Sequence, residues 1–152
     1  MSKSARFIDY FLSHREVTKD LVAKIEENQY TFKPTPSSME TEKLVQHILQ
    51  TTYMFARLAH QQEPDQLIQG DENVSLEKQA DLYTEKTLQL ISSLSEEDFE
   101  KQIDVTRIFG QELTVAELLN VAIDHEIHHK GNLFVYVREM GHTDLPLYVK
   151  MN

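Results

Sequence analysis

Four long stretches of this chain carry apolar residues at three- and four-residue steps, with polar breaks between them. That spacing is one face of an α-helix, so the chain has to bury four helical faces against one another. The first stretch runs from about Ser4 to Glu27, with Phe7, Phe11, His14, Leu21 and Ile25 on one stripe. Lys33-Pro34-Thr35-Pro36-Ser37-Ser38 ends it, because proline disfavours α geometry in the residue before it. Ser37 and Glu40 have capping-box spacing for a second helix that runs to about Gln62, with the stripe Leu44, His47, Ile48, Thr51, Phe55 and Leu58.

A loop over Glu63 to Asn73, containing Pro64 and Gly70, leads to a third helix from about Ser75 to Ser93. There Leu76, Ala80, Tyr83, Leu90 and Leu94 face inward. The connection from Ser95 to Glu112 has weaker periodicity, and its segment Ile103 to Gly110 reads as extended or partly stranded. Thr114 with Glu117 forms another capping box, opening a fourth helix that reaches Met140 and stops at Gly141. The tail, with Pro146, is expected to pack as an irregular strap. With only 4 Gly and 4 Pro in 152 residues, a turn-dense all-β fold is excluded. The chain reads as all-α and as one domain over residues 1–152.

The net charge of −10 repels nucleic-acid phosphates and anionic membranes alike. No cysteine is present, so any metal must be held by histidine or carboxylate. The N-terminus lacks the apolar core of a signal peptide, and no apolar run approaches the roughly 20 residues that span a bilayer. A cytoplasmic location is therefore expected.

His125-Glu126-Ile127-His128-His129 carries the chemistry. Residues i and i+4 share a helix face, so the imidazoles of His125 and His129 can aim at one point. They fall on the stripe Leu118, Ala122, His125, His129, Leu133 and Tyr136, which predicts that both point into the core. Two neighbouring imidazoles are costly to bury without a partner, and a shared metal ion removes that cost. His47, mid-helix on a core-facing stripe, is the best third ligand, and His14 is the other inward-looking option. His60 and His142 lie near helix ends and read as surface residues, and His128 is turned about 100° from His129.

The same segment matches the His-Glu-x-x-His pattern of zinc peptidases, with Glu126 as general base. Its surroundings argue against that chemistry. One common extension needs Gly at 132 and His at 135, where this chain has Asn132 and Val135. Another needs a further ligand-bearing helix, and 23 residues follow His129. Glu126 is better explained as a solvated or interhelical salt-bridge residue.

With these segments in place, the chain resembles the DinB family (DinB/YfiT-like metalloproteins) over nearly its whole length. The resemblance rests on Leu44-Val45-Gln46-His47-Ile48-Leu49, preceded by Pro36-Ser37-Ser38-Met39. It rests more heavily on His125 to Leu133, followed by Tyr136-Val137-Arg138-Glu139-Met140-Gly141. The family pattern is a His, three residues, then His-Arg-Gly-Gln; here Lys130 replaces the Arg and Asn132 the Gln. The resemblance implies an up-down-down-up four-helix bundle with a long crossover between helices two and three. It also implies one divalent metal ion, often nickel or zinc, on three histidines that match His47, His125 and His129, and frequent homodimers.

Some similar proteins transfer low-molecular-weight thiols such as bacillithiol or mycothiol, and many have no known reaction. Three functions are consistent with such a site: a metal-dependent thiol transferase, a non-catalytic stress-related metal-binding protein, and a metal-dependent hydrolase of a small molecule. Asp124, Glu126, Tyr53 and His14 are the residues expected to orient the metal ligands. The acidic surface gives no support for binding DNA.

Overall fold

The computed structural model describes residues 1–70 and 72–151. Asp71, within the expected 63–73 loop, and Asn152, the end of the expected domain, lie outside the described residues. The chain is mostly helical. Its long helices are α1 (Lys3–Val22), α2 (Thr41–Ala59), α3 (Leu76–Ser92) and α5 (Val115–Glu139). A short helix α4 (Thr106–Phe109) lies between the strands β1 (Gln102–Asp104) and β2 (Glu112–Thr114).

The helix ends follow local chemistry. The Ser2 side chain accepts from the Ala5 amide at the start of α1. That helix stops at Val22, short of the expected Glu27, because the chain tightens. Lys24 and Ile25 donate to carbonyls three residues back, and Glu26 with Gln29 then caps a separate 3-10 turn over Glu27–Gln29. The Ser37–Glu40 box does not form, and α2 begins one residue after Glu40 without a side-chain cap. The preceding backbone takes that role. Thr41 N–H and Glu42 N–H donate to the carbonyls of Phe32 and Tyr30, and the Thr41 hydroxyl adds a bond of 2.9 Å to Phe32 O. Ser75 caps α3, and the Thr114–Glu117 box opens α5 as its sequence predicts. Gly141, at φ 103°, follows the end of α5 in left-handed conformation.

The all-α expectation needs one correction. Strands β1 and β2 pair antiparallel with Ile103 opposite Leu113, and Gly110 at φ 72° ends α4 between them. Ile103 and Val105 turn into the core while their neighbours face out, so a short alternating segment is enough for a two-stranded ladder.

Helix α1 packs on α3 and α5, and so does α2. The core has two apolar clusters, one around Leu21, Leu49, Tyr83 and Val137 and one around Phe11, Ala56, Ile91 and Ile123. The C-terminal tail has no regular structure. It runs along α1, with the Lys150 amide donating to Ser13 O at 2.8 Å and the Lys150 ammonium 2.9 Å from Asp20. No helix among the described residues is long and apolar enough to cross a membrane.

Candidate metal centre

His47 lies between the buried residues Leu44, Val45, Ile48 and Leu49 of α2, and the tight packing of that helix on α5 fixes its height. His125 and His129 stand one turn apart on the facing stretch of α5. The three rings meet edge to face, with centroids 4.6 Å (His47–His125), 4.8 Å (His47–His129) and 4.5 Å (His125–His129) apart. Nε2 of His125 lies 2.9 Å from Nε2 of His47. One donor nitrogen from each residue falls within 4.8 Å of the others. Two nitrogens bound to one ion at about 2.0–2.1 Å in tetrahedral geometry stand roughly 3.3 Å apart. The observed separations bracket that spacing.

The protonation states suit a cation. Burial lowers the proton affinity of His47. Burial and then the neighbouring imidazoles push His125 down to about 4. Burial and the proximity of His47 lower His129. Neutral imidazoles, each with a free lone pair, are the form that binds metal. Without a cation the Nε2–Nε2 contact can hold one proton between two nitrogens, and Nδ1 of His125 is buried without a hydrogen-bond partner. The donor set therefore fits a divalent ion, and these three residues could hold one.

The rings do not sit where the sequence stripe put them. All three are half-buried, at the margin of the core. At that level of α5 the inward face belongs to Glu126 and Lys130, each 1% exposed. Arg15 of α1, fully buried, donates to both carboxylate oxygens of Glu126 at 2.8 and 2.7 Å. The Thr18 hydroxyl donates to Glu126 at 2.9 Å, and Arg15 reaches Thr84 of α3 at 3.0 Å. Glu126 is thus the interhelical ion-pair residue that the sequence suggested, buried rather than solvated, and it has no free oxygen face for peptidase chemistry.

Lys130 donates to Nδ1 of His14 at 2.7 Å and to the carbonyl of Tyr148 in the tail. Burial lowers its pKa to about 8, against the opposing pull of Glu126. His14 is therefore committed to Lys130 and does not join the three-histidine cluster.

Of the four residues expected to orient the ligands, none hydrogen-bonds them among the described residues. Asp124 is exposed, Tyr53 donates to Asp65 at 2.7 Å, and Glu126 and His14 have the partners just given. Asn132 supplies that contact instead, its Oδ1 lying 3.2 Å from Nδ1 of His129. Accepting the Nδ1 proton leaves the Nε2 lone pair of His129 free for a cation. The i, i+3 spacing from His129 was the available signal. Arg15 carried one too, since it lies four residues after Phe11 on the buried face of α1. His128 meets His129 edge to face with ring centroids 4.7 Å apart but is exposed, and His60 is part-buried, with Nε2 2.7 Å from Leu90 O.

Comparison with known proteins agrees with this architecture. A protein of Bacillus subtilis (strain 168) described as uncharacterized protein YjoA is 46% identical over 150 residues, covering 97% of both chains. The crystal structure of the B. subtilis DinB-like protein YjoA matches with a TM-score of 0.87 at 44% identity, over 96% of this chain and 99% of that one. A DinB-like protein from Bacillus cereus ATCC 10987 shares the fold, with a TM-score of 0.75 at 18% identity over 92% of this chain and 93% of that one. The DinB family model matches residues 1–152. By sequence along its whole length and by the course of its backbone, this chain belongs to the DinB family.

Proposed function

We propose that this protein binds one divalent metal ion, zinc or nickel, through His47, His125 and His129, and uses it to activate a low-molecular-weight thiol for transfer to an electrophile. The observation that carries the reading is the convergence of three neutral imidazole donors within 4.8 Å of one another. Imidazole donors suit zinc, nickel, copper and iron, and the choice of zinc or nickel among these follows the family resemblance. When bound, such an ion supplies a Lewis acid that lowers the pKa of a thiol.

The protein's own residues do the rest. The three imidazoles hold the cation without cancelling its charge. Asn132 fixes the ring of His129. The Arg15–Glu126 pair locks α1 to the ligand-bearing turn of α5. Transfer needs no carboxylate base: the sulfur–carbon bond forms as the electrophile's leaving group departs, and the thiol proton passes to solvent. A cavity of about 330 Å³ with His47 on its wall gives room for a small substrate.

We also propose the up-down-down-up course with a long crossover between α2 and α3. Bonds between Gln46 and Gln79 near the helix starts, and between His60 and Leu90 near their ends, support a parallel α2 and α3. A single domain over residues 1–152, a homodimer and a cytoplasmic location complete the reading.

Elemental analysis of the purified protein against His125→Ala tests the site, with metal expected in the wild type and lost in the variant. Equal metal content in both would remove it. Conjugation of a thiol panel to monochlorobimane tests the reaction, with carbon–sulfur bond formation and chloride release expected only with metal present. Equal rates with and without metal would rule out the transfer.

A further inference from the structure

The cavity that His47 lines, without His125 or His129, has a chemically distinctive wall. His47 lines it together with Gln46 and Gln50 of α2, Gln79 of α3 and Ile68 of the linker between these helices. Gln46 and Gln50 flank His47 in sequence, and Gln50 lies nearly one turn beyond it on the same helix. Gln79 is 4% exposed and held from both ends: its amide donates to Val74 O at 2.8 Å, and its carbonyl accepts from Gln46 at 3.3 Å. Fixed in this way, Gln79 orients the Gln46 amide and leaves the Gln46 carbonyl oxygen without a protein partner among the described residues.

Three charged residues also line the cavity. Lys43 is exposed there and is opposed by Glu42 and Glu72. Apart from the ion at His47, the cavity's own side chains set one cation against two anions, so they add no attraction for a carboxylate. An apolar group would strip water from the amides and return no hydrogen bond. An amide or hydroxyl can both donate to and accept from them.

We infer that this cavity selects a metal-seeking ligand whose body carries an uncharged amide or hydroxyl group, received by Gln46 and Gln50 beside His47. The inference rests on the metal-site reading and adds what the substrate must look like.

The test uses the full-length protein loaded with cobalt(II), titrated with mercaptoacetamide, mercaptoethanol, mercaptoacetate, cysteamine and propanethiol. The thiolate-to-cobalt charge-transfer band reports binding, with affinities corrected for the pKa of each thiol. Mercaptoacetamide and mercaptoethanol are expected to bind about tenfold more tightly than the other three, since a site built for hydrogen bonds rejects analogues lacking them. The better of the two identifies the group as amide or hydroxyl. Gln46→Leu and Gln50→Leu should each shrink that preference while cobalt still binds, and the wild-type ranking decides even if a variant fails to fold.

Propanethiol or a charged thiol binding as tightly as the neutral polar pair would overturn the inference, as would the absence of binding by all five. Failure of the underlying site looks different: cobalt uptake that is unchanged in His47→Ala, whatever the thiols do.

Discussion

At the scale of single residues, the strongest constraint on this protein is a buried charge pair. Arg15 and Glu126 are both closed off from water, and the two hydrogen bonds between them offset a desolvation cost that either would bear alone. Glu126→Leu should therefore destabilise the fold by about 3–5 kcal/mol in urea unfolding, by stranding a buried guanidinium. The double variant Arg15→Met/Glu126→Leu should recover most of that loss. A double variant no more stable than the single one would mean that the hydrogen bonds to Thr18 and Thr84 carry the energy.

The histidines set a pH dependence of the metal-free protein. His125 titrates near 4 when folded and near 6.5 when unfolded. Between those values the unfolded chain binds more protons, so stability rises with pH. It is complete above about 6.5 and falls as pH drops towards 4. Urea midpoints measured in chelator at pH 7.5 and 5 should show the decline, and His125→Asn should flatten it. An equal slope in the variant would assign the decline to other groups.

At the scale of elements, α5 carries most of the site and has the best-defined ends. Its box pairs the Thr114 hydroxyl with the Glu117 amide at 3.1 Å and the Glu117 carboxylate with the Thr114 amide at 3.0 Å. Thr114→Ala should cost about 1 kcal/mol. Gly141→Ala should cost a similar ~1 kcal/mol through backbone strain at φ 103° alone, because an added Cβ would meet nothing within 4 Å. Urea titration of both variants checks the pair. A Gly141→Ala protein as stable as the wild type would show that the helix end can relax. Helix α2 obeys a different rule. Its first amides are satisfied by the Tyr30 and Phe32 carbonyls, so Ser37→Ala should leave stability within about 0.5 kcal/mol of wild type.

At the scale of the whole molecule, a metal ion held by His47, His125 and His129 would couple to the fold, because these residues come from two helices far apart in sequence. An ion that binds only the folded state should stabilise it by about 2.7 kcal/mol at a free concentration of 100 times its Kd. For a chain of this size that corresponds to a rise in Tm of roughly 5–10 °C, reversed by chelator. Thermal unfolding of the metal-loaded and stripped protein measures this directly. A Tm indifferent to both treatments would mean that the ion does not bridge α2 and α5.

The sequence by itself determined the four long helices, since a period near 3.6 and the Thr114 and Gly141 end signals act within a few residues. It also determined that His125 and His129 share one side, because an i, i+4 pair has one geometry on a helix, while the choice of His47 over His14 waited for α2 to pack on α5. Which face of α5 turns inward was decided by tertiary packing. Leu118, Ala122 and Leu133 are compatible with either His125 and His129 or Glu126 and Lys130 in the middle of the stripe. Arg15 and His14, more than 100 residues away, settle the choice by neutralising Glu126 and accepting from Lys130. Burying a charge depends on the partner that meets it, and that partner is brought close only when the chain has folded.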